Sequence, residues 1–173
     1  MKTTTLQYPI GQFEPPKDYS TIYLNSFMDT LASFPEELKA AVILLTDAQL
    51  DTTYRPDGWT IRQVVHHCAD SHLNFYIRLK WTLTEDTPTI KFYHEDRWGK
   101  LPENCIMNVA PSLQLLEGLH QKICFMIEQL DDSDFQKCYI HPEYQKKFSI
   151  QEAIALYAWH CRHHLAHIKS VTF

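Results

Sequence analysis

Residues 149–173, SIQEAIALYAWHCRHHLAHIKSVTF, constrain the fold more than any other stretch of the chain. Ile150, Ile154, Tyr157, Cys161, Leu165 and Ile168 recur at intervals of three and four. On a helix turning about 100° per residue they share one face, which must be buried against other elements. Ser149 and Glu152 have the spacing of a capping box, so the helix opens there. Beside the apolar face, four of the ten histidines fall within eight residues: His160, His163, His164 and His167.

Three more helices are predicted from the same periodicity. Ser20 caps the first, which runs to about Leu31. Ser33-Phe34-Pro35-Glu36 then reads as a second start, with a break near Pro35. Leu38, Ala41, Val42 and Leu45 continue it, and Thr46–Leu50 is a short helical turn. Thr60 caps helix two, from Ile61 to about Leu83; Ser112 caps helix three, whose stripe is Leu116, Leu119, Ile123, Ile127 and Leu130, ending at Asp131–Asp134. Residues 86–111, with Pro88, Pro102 and Pro111, form a crossover too long for a simple up-down bundle, with a short helix around His94–Trp98. Cys138–Glu143 and Lys147-Phe148 form a short extended excursion. The expected architecture is all-α: one domain over residues 1–173, with an extended arm over residues 1–17 that lies on the domain or on a partner subunit.

Composition excludes several functions. A net charge of −5 offers no basic surplus for nucleic acid or an anionic membrane surface. No apolar run is long enough for a transmembrane span, and MKTTTLQYPIGQFEPP lacks the apolar region of a signal peptide. Cys68, Cys105, Cys124, Cys138 and Cys161 are odd in number and form no CxxC pair, so free thiols in the cytoplasm are expected. Phosphate-binding glycine loops, a GxSxG elbow and HExxH are all absent.

Helical geometry sorts the histidines. In helix two, Ile61, Val64, Val65, Cys68, Phe75 and Leu79 form the apolar face. His67 stands at its edge, on a stripe continued by Ser71, Asn74 and Arg78. His66 and Asp70 point away toward solvent, and His72 points into the core as a hydrogen-bonded histidine. In helix four, His160 and His164 flank the apolar face one turn apart, His167 extends their stripe and His163 turns outward. His160 and His164 make an HxxxH pair able to converge on one ion, and His67 is the natural third ligand. An HxxxH pair alone also fits solvated surface histidines; the cluster and the edge-facing His67 favour a metal. Three imidazoles with an open position for water or substrate is the catalytic pattern, and imidazole suits zinc, nickel, copper or iron. His120 is expected on the core side of helix three, as a support or pocket residue, and His141 on the excursion as a loop histidine within reach of the site's mouth. Arg78 has the position to bind an anionic group, although an arginine at a bundle edge is more often a salt-bridge partner.

The runs Gly58-Trp59-Thr60-Ile61-Arg62-Gln63-Val64-Val65-His66-His67, Ala69-Asp70-Ser71-His72 and Trp159-His160-Cys161-Arg162-His163-His164-Leu165-Ala166-His167-Ile168 resemble the YfiT branch of the DinB superfamily. Tyr8-Pro9-Ile10-Gly11 and His141-Pro142 are similar as well. The resemblance implies a four-helix bundle with one long crossover and a homodimer acting on a small molecule. It implies a metal-dependent hydrolase whose single zinc or nickel ion is held by His67, His160 and His164. Related branches are thiol S-transferases using bacillithiol or mycothiol, which makes thiol transfer the alternative chemistry; a non-catalytic metal-binding protein is a third.

Overall fold

The computed structural model describes residues 5–172. Its elements are, in order, α1 (Thr21–Val42), α2 (Asp47–Leu50), α3 (Ile61–Thr84), α4 (Glu95–Trp98), α5 (Pro102–Ile106), α6 (Ala110–Glu128), α7 (Asp132–Gln136), β1 (Cys138–His141), β2 (Lys146–Ser149) and α8 (Ile150–Lys169). The four long helices, α1, α3, α6 and α8, form the bundle. Each of α1 and α3 packs on both α6 and α8. α1 therefore stands diagonally across from α3, and α6 from α8, and the crossover from residue 85 to 109 joins the neighbouring α3 and α6. It is pinned on the way: Ile90 N–H donates to the Ile140 carbonyl and Ile140 N–H to the Pro88 carbonyl, tying it to the β1–β2 hairpin.

The expected stripes form the core. Leu31, Leu38, Ile61, Val64, Val65, Cys68, Phe75, Leu116, Ile123, Ile150 and Ile154 are fully buried. The Thr60 hydroxyl accepts from Gln63 N–H while the Gln63 side chain accepts from Thr60 N–H, so α3 starts on a full capping box. Ser149 accepts from Glu152 N–H at the start of α8.

Four local expectations need correction. α1 does not break: Pro35 lies inside a continuous helix, and Ser33 bonds Glu37 instead of capping a new one. Ser20 makes no side-chain cap bond. Ser112 is inside α6, which begins at Ala110, and its hydroxyl is used elsewhere. The acidic run after α6 starts another helix, because Asp131 caps α7 with a reciprocal bond to Asp134.

Of the arm expected over residues 1–17, residues 1–4 lie outside the described ones. The remainder folds through turns at Thr5–Tyr8 and Tyr8–Gly11 and lies along α8, where Trp159 Nε1–H donates to the Gly11 carbonyl at 3.2 Å. No helix among the described residues is long and apolar enough to cross a membrane. All five cysteines are free.

Candidate metal centre

α3 and α8 bring His67, His160 and His164 together, with one ligating nitrogen from each within 4.8 Å of the others. His67 Nε2 and His160 Nε2 are 3.2 Å apart. Two imidazoles on one tetrahedral ion, each bonded at about 2.05 Å, would have nitrogens about 3.3 Å apart. The spacing therefore fits a shared cation. Burial, followed by the neighbouring histidines, lowers the pKa of all three; His67 falls to about 3 and the other two well below the usual value. They are neutral imidazoles, the form with a lone pair to give.

Which nitrogen carries that lone pair follows from where the hydrogen bonds end. Helix α1 would normally bond the Leu31 carbonyl to the N–H of residue 35, but Pro35 has none. His120 Nδ1 fills the gap at 2.6 Å, and since a carbonyl only accepts, Nδ1 carries the proton. His120 Nε2 then accepts from His72 Nδ1–H at 2.9 Å. His72 Nε2 in turn accepts from His160 Nδ1–H at 3.1 Å. That leaves the His160 lone pair on Nε2, the atom facing His67. A second relay serves His164. The Gln7 carbonyl accepts from His167 Nε2–H at 3.1 Å, so His167 Nδ1 is left to accept from His164 Nδ1–H at 3.4 Å. The lone pair of His164 is again on Nε2. A backbone carbonyl at the far end of each relay thus sets the tautomer at the site.

Among the described residues, two other groups could hold a metal by spacing alone. His72, His120 and Cys161 form one, but there the imidazoles are engaged in the first relay. His163, His164 and His167 form the other, which shares His164 and the second relay.

The histidine trio opens on a cavity of about 670 Å³. Trp59 packs against His67 at 4.6 Å between ring centroids, and Tyr54 stacks on His167 at 3.9 Å. Arg78, Tyr93, Tyr139 and His141 line the same cavity. A more open cleft of about 350 Å³, between Tyr76 and Phe125 on α3 and α6, is lined by no histidine, cysteine or carboxylate.

The remaining histidines divide. His72 is fully buried and hydrogen-bonded, as expected, and His120 supports it. His66, expected in solvent, is buried: its Nε2–H donates to the Met107 carbonyl at 3.2 Å and its Nδ1 accepts from the Ser112 hydroxyl at 2.7 Å. His163, also expected outside, is buried and stacks on Trp159 at 4.4 Å. A helical wheel finds one buried face, and here the crossover covers the back of α3 and the arm covers α8. No signal near His66 or His163 announces those covers. Asp70 is half-buried and accepts from the Asn104 side chain at 3.1 Å. His141 is buried in the cavity wall and is no ordinary loop histidine. Arg78 is buried too, and among the described residues it has no salt-bridge partner.

A diagonal helical bundle with a histidine trio on the wall of its cavity defines a recognisable class. The model for the DinB superfamily matches residues 30–168. The chain is 41% identical over 172 residues to a Bacillus subtilis protein named "Putative metal-dependent hydrolase YfiT", covering 99% of this chain and 97% of that one. It is 44% identical over 165 residues to a similarly named protein of Oceanobacillus iheyensis, covering 95% of each. The solved structure of Bacillus subtilis YfiT, described as a probable metal-dependent hydrolase with an unusual four-helix bundle topology, superposes with a TM-score of 0.92 at 43% identity, over 95% of this chain and 94% of that one. The chain belongs to the DinB superfamily, in its YfiT branch.

Proposed function

We propose that this chain is a metal-dependent hydrolase of a small molecule, with one divalent ion held by His67, His160 and His164. Zinc is the ion of choice and nickel the alternative. The observation that carries the reading is the convergence of three neutral imidazole nitrogens within 4.8 Å on the wall of a cavity large enough for a substrate. Bound there, the ion would supply Lewis acidity toward a substrate oxygen and lower the pKa of water toward neutrality. The chain's own residues do the rest. The two relays hold the Nδ1 protons of His160 and His164 and keep their Nε2 lone pairs toward the site. Trp59 and Tyr54 wall off one side and limit water. The relatives named for metal-dependent hydrolysis support the choice of reaction.

Elemental analysis of the purified protein tests the site. Stoichiometric zinc or nickel is expected in the parent and its loss in His160→Ala; metal retained in the variant overturns the ligand set. A panel of esters and amides, assayed with and without added thiol, tests the reaction. Turnover that requires the thiol would replace hydrolysis with S-transfer. The same reading takes the chain as a cytoplasmic homodimer, and light scattering that returns a monomer removes the dimer from it.

A further inference from the structure

We propose that Arg78 and His141 form a subsite for an anionic group of the substrate, a carboxylate or phosphate, in the cavity onto which the histidine trio opens. The inference rests on the reading of the trio as the reacting centre, and it names a substrate class for that centre. Arg78 is 7% exposed and its Nε has no hydrogen-bond partner; His141 is 6% exposed and its Nδ1 has none either. Both line the cavity. A guanidinium stays charged at any physiological pH, and burying it unpaired is costly. None of the four carboxylates of the cavity wall, Asp57, Glu95, Asp96 and Glu143, forms a salt bridge with Arg78. What surrounds the guanidinium instead is aromatic: the Tyr93 ring, 6.0 Å from Arg78 Cζ to its centroid, and the Tyr139 hydroxyl. These orient the fork without neutralising it. An arginine held this way presents paired N–H donors that match a carboxylate or phosphate edge. His141 adds a ring nitrogen to the same cavity.

The spacing sets the size of the substrate. Arg78 is eleven residues beyond His67 on α3, on the same stripe. Eleven residues rise about 16 Å, and helical side chains lean toward the N-terminus, so the long arginine reaches back to within on the order of 10 Å of the trio. A small molecule with its anionic group a few bonds from the cleaved one spans that gap.

Calorimetric titration with inorganic phosphate, and in parallel with acetate, tests the subsite on the full-length parent, Arg78→Met and His160→Ala. Binding in the parent is expected to weaken at least tenfold in Arg78→Met, which keeps its full metal content, and to persist in His160→Ala, which does not. Whichever anion binds more tightly names the substrate group. Absence of binding by either anion in the parent, or binding unchanged in Arg78→Met, overturns the subsite. Binding lost in His160→Ala and kept in Arg78→Met assigns the anion to the histidines and overturns it equally. Should Arg78→Met not fold, the Arg78 Nε–H resonance of the labelled parent decides: it should shift on phosphate addition, and a stationary resonance refutes the proposal. A parent without metal would defeat the hydrolase reading while leaving this titration interpretable.

Discussion

Helix α3 buries two arginines, and they live in opposite circumstances. Arg62, in the first turn, is 3% exposed and fully engaged: its guanidinium bonds Asp47 at 2.8 Å, Asp51 at 2.7 Å and the Met107 carbonyl at 3.0 Å. It joins α2, the start of α3 and the crossover. Arg78, four and a half turns later, has aromatic neighbours and no carboxylate. Between them His66 and His72 each have both ring nitrogens bonded. A buried polar group with every bond made supports the fold; one with bonds left over is held at the fold's expense, for a ligand.

Substitutions should separate the two kinds. The largest effect is expected from His72→Phe, which keeps a ring of similar shape but strands the His160 Nδ1–H and His120 Nε2. Metal affinity, read by competition with a chelator, should fall roughly 10–100-fold. Urea denaturation of the metal-free protein should show a loss of roughly 2–4 kcal/mol. An unchanged affinity would break the claim that the relay sets the His160 tautomer. Arg62→Met should cost about 2 kcal/mol, a discounted figure because Asp47 and Asp51 stay solvated when left unpaired. Arg78→Met should go the other way, with stability unchanged or raised by up to about 1 kcal/mol. If both arginine variants lose stability alike, the contrast fails.

Acid provides a gentler probe. Burial lowers His120 to about 4, against an ordinary value of 6.5. The unfolded chain therefore takes up this proton first as pH falls. The stability that the neutral ring contributes is complete above about pH 6.5 and drains away as pH falls toward 4. Metal-free protein should show a urea midpoint that declines across that window, and a flat profile would argue that His120 is not held neutral. The smallest effect is expected from Pro35→Ala. It restores a backbone N–H that competes for the Leu31 carbonyl, and it should weaken metal binding by no more than a few-fold while leaving α1 intact.

The fold was legible where one side of a helix faces the core. The stripes of α3, α6 and α8 follow their three- and four-residue spacing, and the same wheel set His67, His160 and His164 on facing edges. It failed where a helix is covered twice. His66 lies under Met107 and Ser112, and His163 beside the arm residue Tyr8, and neither cover has a periodic signature in α3 or α8. Pro35 signals a helix break in the sequence, yet α1 runs through it. A continuous helix tolerates it because its neighbours are packed, and the freed carbonyl is taken by a side chain.

The sequence by itself therefore determined four amphipathic helices, the candidate ligand positions and the loss of one N–H in α1, because each depends on local spacing and covalent chemistry. Only the tertiary structure decided that His120 would claim that carbonyl from 89 residues away, and that His72 would meet His160 across 88. It also decided that Arg78 would be buried without a partner. Those outcomes depend on the diagonal placement of α1 and α3, which juxtaposes side chains that no local period relates. The lone pairs of the histidine trio are set by the packing of the whole bundle.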